Sequence, residues 1–139
     1  MSSPTVGLSH PTKSMTPNEF LEYINYFSSQ KYDDYYTDDI ILSLPSLPDL
    51  VGKQAIKEFF AHQNKFLHET VRVIKMLSEG DGLMAHVVSD FYCINDWPDS
   101  HLGPMKKGDL RRVEILLLCK LRDGRFCLAR TSRLKPLGQ

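Results

Sequence analysis

His86, Asp90 and Tyr92 stand on one side of a segment that alternates cleanly from residue 83 to 94. A strand sends successive side chains to opposite faces. Met84, His86, Val88, Asp90, Tyr92 and Ile94 therefore share one face, and Leu83, Ala85, Val87, Ser89, Phe91 and Cys93 the other. An imidazole titrates near neutral pH, and a carboxylate in an apolar pocket has its pKa raised by desolvation, so the pair suits general acid–base chemistry. A phenol beside them can donate a hydrogen bond to a developing oxyanion. The expectation is that Asp90, aided by His86, moves a proton while Tyr92 or Tyr23 steadies an oxygen. The same alternation also fits a half-wet sheet whose polar row faces solvent or a second subunit.

Other side chains are candidates for the same pocket. Tyr23 lies on the apolar face of a helical pattern, where packing with one satisfied hydroxyl is the commoner role. Phe60 sits on the apolar face of a second helical pattern. His68 falls at a helix-to-strand junction, where the helix dipole alone favours a His. Trp97, the single Trp, lies in a long polar loop and can close over a bound ring or form a dimer contact. Of Arg111, Arg112, Arg130 and Arg133, one is a candidate for facing a substrate acid, and most are expected to be sheet-surface cations.

The elements that must position these groups are readable from spacing. Thr16-Pro17-Asn18-Glu19 is a helix start with a capping-box pattern, and Phe20, Tyr23, Ile24 and Phe27 form its apolar face. Residues 31–36 read as a short helix or turn and Ile40–Leu44 as a first strand stopped by Pro45 and Pro48. A helix follows Gly52, with Ile56, Phe59, Phe60, Gln63 and Leu67 on one face. Strands are expected over 69–77, 83–94, 110–121 and 125–134, with a long loop at 95–109. Asp123-Gly124 is the strongest hairpin signal. Residues 1–15, rich in Ser, Thr, Pro and Gly, read as a tail, and 16–139 as one domain. Antiparallel strands with helices gathered on one face make an α+β fold, here a curved sheet wrapped around N-terminal helices.

Composition narrows the function classes. The chain has 139 residues with Lys plus Arg equal to Asp plus Glu at 17 each, so it lacks the basic excess of a nucleic-acid binder. Three cysteines fit no metal spacing, and their apolar settings suit small buried hydrophobes in a reducing, cytoplasmic compartment. No apolar run reaches membrane-spanning length. No cofactor motif and no metal motif emerges.

The order of elements, with Phe20-Leu21-Glu22-Tyr23-Ile24, Tyr36-Thr37-Asp38-Asp39-Ile40, Leu50-Val51-Gly52-Lys53-Gln54-Ala55-Ile56 and the Leu121–Phe126 hairpin, resembles the nuclear transport factor two-like superfamily and its SnoaL-like branch. The resemblance covers roughly residues 17–134 and implies a cone-shaped α+β roll with a small-molecule pocket. The branch includes polyketide cyclases, steroid isomerases, limonene-type epoxide hydrolases and scytalone dehydratases, besides members with no enzymatic role, so the fold alone does not fix the activity. The resemblance places Asp90 at an epoxide-hydrolase Asp, Tyr23 at a steroid-isomerase Tyr and His68 near a scytalone-dehydratase His. It also marks departures. Ser43 stands in the region of the isomerase base, Leu117 near its second acid, and Val88 where the hydrolases carry an Arg. These three are expected to line the substrate site instead. The expected function is cofactor-free cyclisation, isomerisation or dehydration of a small hydrophobic polyketide- or terpenoid-like carbonyl compound. The rival is a non-catalytic binding or dimeric interaction module. A homodimer through the open sheet face is expected, with no nucleic-acid or membrane partner.

Overall fold

Thr16 and Glu19 cap the first helix reciprocally. The Glu19 amide donates to Thr16 Oγ1 at 3.2 Å, and the Thr16 amide donates to Glu19 Oε1 at 3.0 Å. The helix they open, α1 (Pro17–Phe27), is the first element of a computed structural model that describes residues 14–27 and 33–137. A short 3₁₀ turn at Asp33–Tyr35 leads into β1 (Tyr36–Ser43), longer by four residues at its start than the apolar run alone suggests. Then come β2 (Leu50–Val51), α2 (Lys53–Gln63), β3 (Leu67–Glu79), β4 (Gly82–Cys93), β5 (Leu110–Arg122) and β6 (Arg125–Arg133). The expected tail over residues 1–15 falls mostly outside the described residues, but Met15 is buried and its carbonyl accepts from Ser78 Oγ.

The six strands form one sheet in the order β2-β1-β6-β5-β4-β3, antiparallel except where β1 runs parallel to β6. The sheet is therefore mixed, and it is not closed into a barrel. Register shifts between Val73 and Lys75 and between Lys120 and Leu121 mark bulges, which bend and twist strands. Asp123 and Gly124 both take positive φ, at 54° and 78°, as a two-residue hairpin turn of this hand requires.

The helices lie on one side of the sheet. Phe20, Tyr23, Ile56 and Phe60 pack with Ile40, Leu42, Ala85, Val87, Leu121 and Phe126 in the main core. A second cluster joins Leu67, Phe91, Cys93, Trp97, Met105 and Val113. α2 ends at Gln63, so Leu67 packs from the first position of β3 and not from a helical face. No helix among the described residues is long and apolar enough to cross a membrane.

Candidate functional site

The inner row of β4, Leu83, Ala85, Val87, Ser89, Phe91 and Cys93, is buried throughout. This row faces the helices. The alternation expected for β4 is present, but the expected face is reversed. His86, Asp90 and Tyr92 lie on the outer side of the sheet. His86 Nε2 is 2.5 Å from Glu114 Oε2. Arg112 donates to both Asp90 oxygens, at 2.7 and 3.0 Å, and holds this carboxyl below its ordinary pKa by hydrogen bonding and charge. Tyr92 is 48% exposed and pairs in register with His68, which is exposed on the same outer face. The physical reason is partition. In a sheet wrapped around helices the apolar row turns inward and the charged row outward.

Between the helices and the inner face lies a cavity of about 180 Å³. Its wall is mostly apolar: Ile24, Leu42, Phe59, Phe60, Val71, Val87, Phe91, Val113, Ile115, Leu117 and Ala129 contribute to it. Set into this wall is Glu69. It occupies the inner row of β3 between Leu67 and Val71 and opposite Phe91. Ser89 Oγ donates to Glu69 Oε2 at 2.8 Å, and Gln63 Nε2 from the last turn of α2 donates to Glu69 Oε1 at 3.2 Å. Gln63 and Ser89 are each 2% exposed, so both donors are fixed by the packing around them. Burial among these groups pushes the Glu69 carboxyl up from 4.5 to about 7, although both hydrogen bonds pull it down. The part of Glu69 that remains accessible opens on the cavity.

Two hydroxyls meet elsewhere on the wall. Tyr23 and Tyr36 oxygens are 2.7 Å apart, with both residues buried and both lining the cavity. Of the residues singled out in the sequence, Tyr23, Phe60 and Leu117 thus line the cavity. Ser43 does not. It is the outward neighbour of inward Leu42, and its carbonyl accepts from Thr131 Oγ1 at 2.9 Å. Val88 also points outward, between Arg72 and Glu114 in register.

Trp97 is no lid. Its ring stacks on Phe66 with centroids 4.8 Å apart and planes 12° apart, and it is only 7% exposed. The segment around it is strapped down. Trp97 and Met105 exchange both backbone hydrogen bonds, at 2.7 and 3.0 Å, and Arg111 donates to the Leu102 carbonyl. What the loop brings to the cavity is His101 and Leu102. His101 contacts Phe59 and Trp97, with centroids at 5.5 and 5.6 Å, and burial lowers its pKa below 6.5. Arg133, at the end of β6, completes the lining. Of the cysteines, Cys93 and Cys119 are buried and all three are free; burial pushes the Cys119 thiol up to about 12.

The arrangement can bind a small apolar molecule and present one carboxyl, poised near neutrality, to it. Sequence reasoning missed Glu69. Its signal is a single acid interrupting the row Leu67, Val71, Val73.

Comparisons with known proteins agree on the architecture. A search of curated proteins finds no significant match. Among solved structures, a candidate polyketide cyclase from Xanthomonas campestris pv. campestris superposes with a TM-score of 0.69 at 17% identity, covering 81% of this chain and 84% of that one. A hypothetical protein of ketosteroid isomerase-like fold from Catenulispora acidiphila, in complex with trimethylamine, gives 0.68 at 11% identity, covering 84% and 85%. An epoxide hydrolase of LEH-like type from M. tuberculosis gives 0.65 at 10% identity, covering 83% and 79%. At these identities the likeness shows a shared fold. The sequence profile of the SnoaL-like domain matches residues 18–129, most of the chain, and the chain belongs to that family.

Proposed function

We propose that the cavity is an active site in which Glu69 transfers a proton on a small, largely apolar carbonyl compound, without a cofactor. The reaction class is cyclisation, isomerisation or dehydration, and the substrate class polyketide- or terpenoid-like. The observation that carries this reading is the Glu69 carboxyl itself, held by Ser89 and Gln63 in an apolar wall. A carboxyl with a pKa of about 7 is populated in both forms at neutral pH. It can therefore take a proton from carbon and return it elsewhere on the same molecule. The Tyr23–Tyr36 hydroxyl pair offers a donor to an enolate oxygen. The name of the cyclase neighbour and the family assignment support the same class of chemistry.

The test needs no knowledge of the natural substrate. Deuterium uptake from D₂O at the α-carbon of 2-tetralone, followed by NMR, reports proton abstraction next to a carbonyl. Wild-type protein is expected to accelerate it, and Glu69→Gln to lose about 10²- to 10⁴-fold of that acceleration, the range for a positioned acid–base group. Uncatalysed exchange with wild-type protein, or undiminished exchange with the variant, would sink the reading.

We also propose that two copies pair through the outer sheet face. Leu77, Met84 and Leu118 stand side by side across β3, β4 and β5 and are 58%, 47% and 39% exposed. An exposed apolar row of this kind favours association. Sedimentation at micromolar concentration should give twice the chain mass; a single-chain mass rejects pairing.

A further inference from the structure

Of Arg111, Arg112, Arg130 and Arg133, only Arg133 lines the cavity. Arg112 is held by Asp90 on the outer face. Arg111 ties down the loop through the Leu102 carbonyl. Arg130 pairs in register with Leu118, in the outer row. Arg133 differs from all three. It stands opposite Ile115, in the inner row that also holds Thr131, and it is the sole Lys or Arg among the described residues that line the cavity. No carboxylate among the described residues pairs with it.

Arg133 is exposed, so its charge stays solvated on the rim of an otherwise apolar cavity, with no carboxylate of its own among the described residues. It is placed to meet a ligand that brings the acid. The guanidinium fork matches a carboxylate in two parallel hydrogen bonds, and such charge-assisted bonds are the strong ones. Glu69 sits on β3 and Arg133 on β6, with β4 and β5 between them. Three strand spacings amount to about 14 Å, and the register adds about 13 Å along the strands, because Glu69 lines up through Phe91 with Arg111 and Arg133 lines up with Ile115; the path over the sheet is about 20 Å, so only an elongated molecule addresses both.

We infer that the natural ligand is an elongated, mostly apolar carboxylic acid, anchored by Arg133 at the rim and reaching toward Glu69 with its carbonyl-bearing end. The reacting end of this statement rests on the function proposed for Glu69; the anchored end does not. Orientation follows from the charges. A carboxylate is drawn to the guanidinium and repelled by ionised Glu69, so an acid enters in one sense only. Neutral compounds of the same shape lack this constraint.

A matched pair of probes tests the anchor. Binding of 2-naphthoate and of methyl 2-naphthoate is measured by calorimetric titration to wild type, Arg133→Gln and Glu69→Gln. Wild type is expected to bind the acid about tenfold more tightly than the ester, the scale of one charge-assisted bidentate contact at an exposed site. Arg133→Gln should erase the preference while ester affinity stays within about twofold, which also shows the cavity intact. Glu69→Gln should retain the preference. Equal binding of acid and ester by wild type overturns the inference, as does absence of naphthoate binding, a preference that survives Arg133→Gln, or loss of ester binding in that variant. The two readings fail separately. If Glu69→Gln exchanges deuterium normally but the acid preference persists, only the proton-transfer role is lost. If the preference is missing while Glu69→Gln still abolishes exchange, only the anchor is lost.

Discussion

The two faces of β4 treat carboxylates in opposite ways. On the outer face Asp90 meets Arg112 in a two-pronged ion pair, and its pKa is lowered. On the inner face Ser89 meets Glu69, and burial raises the carboxyl to about 7. The outer residues look more like chemistry on paper, with an imidazole, a carboxylate and a phenol in one row. Asp90 is paired with Arg112, His86 lies against Glu114 and Tyr92 is exposed, as on any solvated sheet. The inner acid has no counter-charge among its hydrogen-bond partners, only two neutral donors. A proton-transfer group needs both protonation states within reach, and the inner face provides that for Glu69 whereas the outer face removes it for Asp90.

The sharpest way to test this contrast is stability against pH. Folded Glu69 keeps its proton up to about pH 7, whereas an ordinary Glu releases it near 4.5. Between those values the unfolded state binds fewer protons, so this residue's contribution to stability falls as pH rises through the window. Gln has no proton to lose. Glu69→Gln is therefore expected to be more stable than wild type at pH 8 by on the order of 2 kcal/mol, and to show no such advantage at pH 4. Urea unfolding at the two pH values measures this. An advantage that does not change with pH would show that Glu69 is not destabilised by burial. Loss of activity with gain of stability is the signature of a group kept for function.

Ser89 sharpens the comparison from the partner's side. Its hydroxyl lowers the Glu69 pKa and orients the carboxyl, and it is 2% exposed, so no water replaces it readily. Ser89→Ala should slow deuterium exchange at neutral pH by about tenfold, the loss of one hydrogen bond to a charged group. It should also shift the rise of the rate–pH curve to higher pH, because the ionised carboxyl has lost a donor. A slower rate with an unmoved curve would reduce Ser89 to packing.

Much of the fold could be read from short signals. The Thr16–Glu19 box, the Asp123-Gly124 turn and the β4 alternation all depend on residues close in sequence. The site could not be read in the same way. Alternation groups residues by face but is silent on which face is concave. That choice is made by α1 and α2, which cover one side, and the better guide was composition: five of the six inner β4 residues are apolar or Cys, and Ser89 is the exception. Glu69 is the same kind of exception on β3. Its partners lie 6 and 20 residues away, a juxtaposition made by strand pairing and not by spacing. Trp97 misled for a related reason. Its loop is polar, but the ring folds back onto Phe66, ahead of β3. Leu67, inward on a strand, continues the helical period of α2, so periodicity alone carries that helix past its end at Gln63.

The smallest expected effect belongs to Asp90→Asn, and its smallness is the point. The Asp90–Arg112 pair is on the open face, with the Arg side chain 62% exposed, where such pairs contribute little and are screened by salt. Asp90→Asn is expected to leave deuterium exchange within about twofold of wild type, since the residue does not face the cavity. Any loss in melting temperature should shrink at high ionic strength. It should also vanish on acidification, because a carboxyl with a lowered pKa contributes above its ordinary value near 3.8 and ceases to as pH falls through its folded value. Acid thus removes what Asp90 contributes and relieves what Glu69 costs. Titrating both variants from pH 8 to below the ordinary Asp value near 3.8 should therefore move their stability differences from wild type toward zero from opposite sides, Glu69→Gln between about 7 and 4.5 and Asp90→Asn only below 3.8. Convergence from the same side would mean that the two faces of the strand do not differ as their hydrogen bonds say they do.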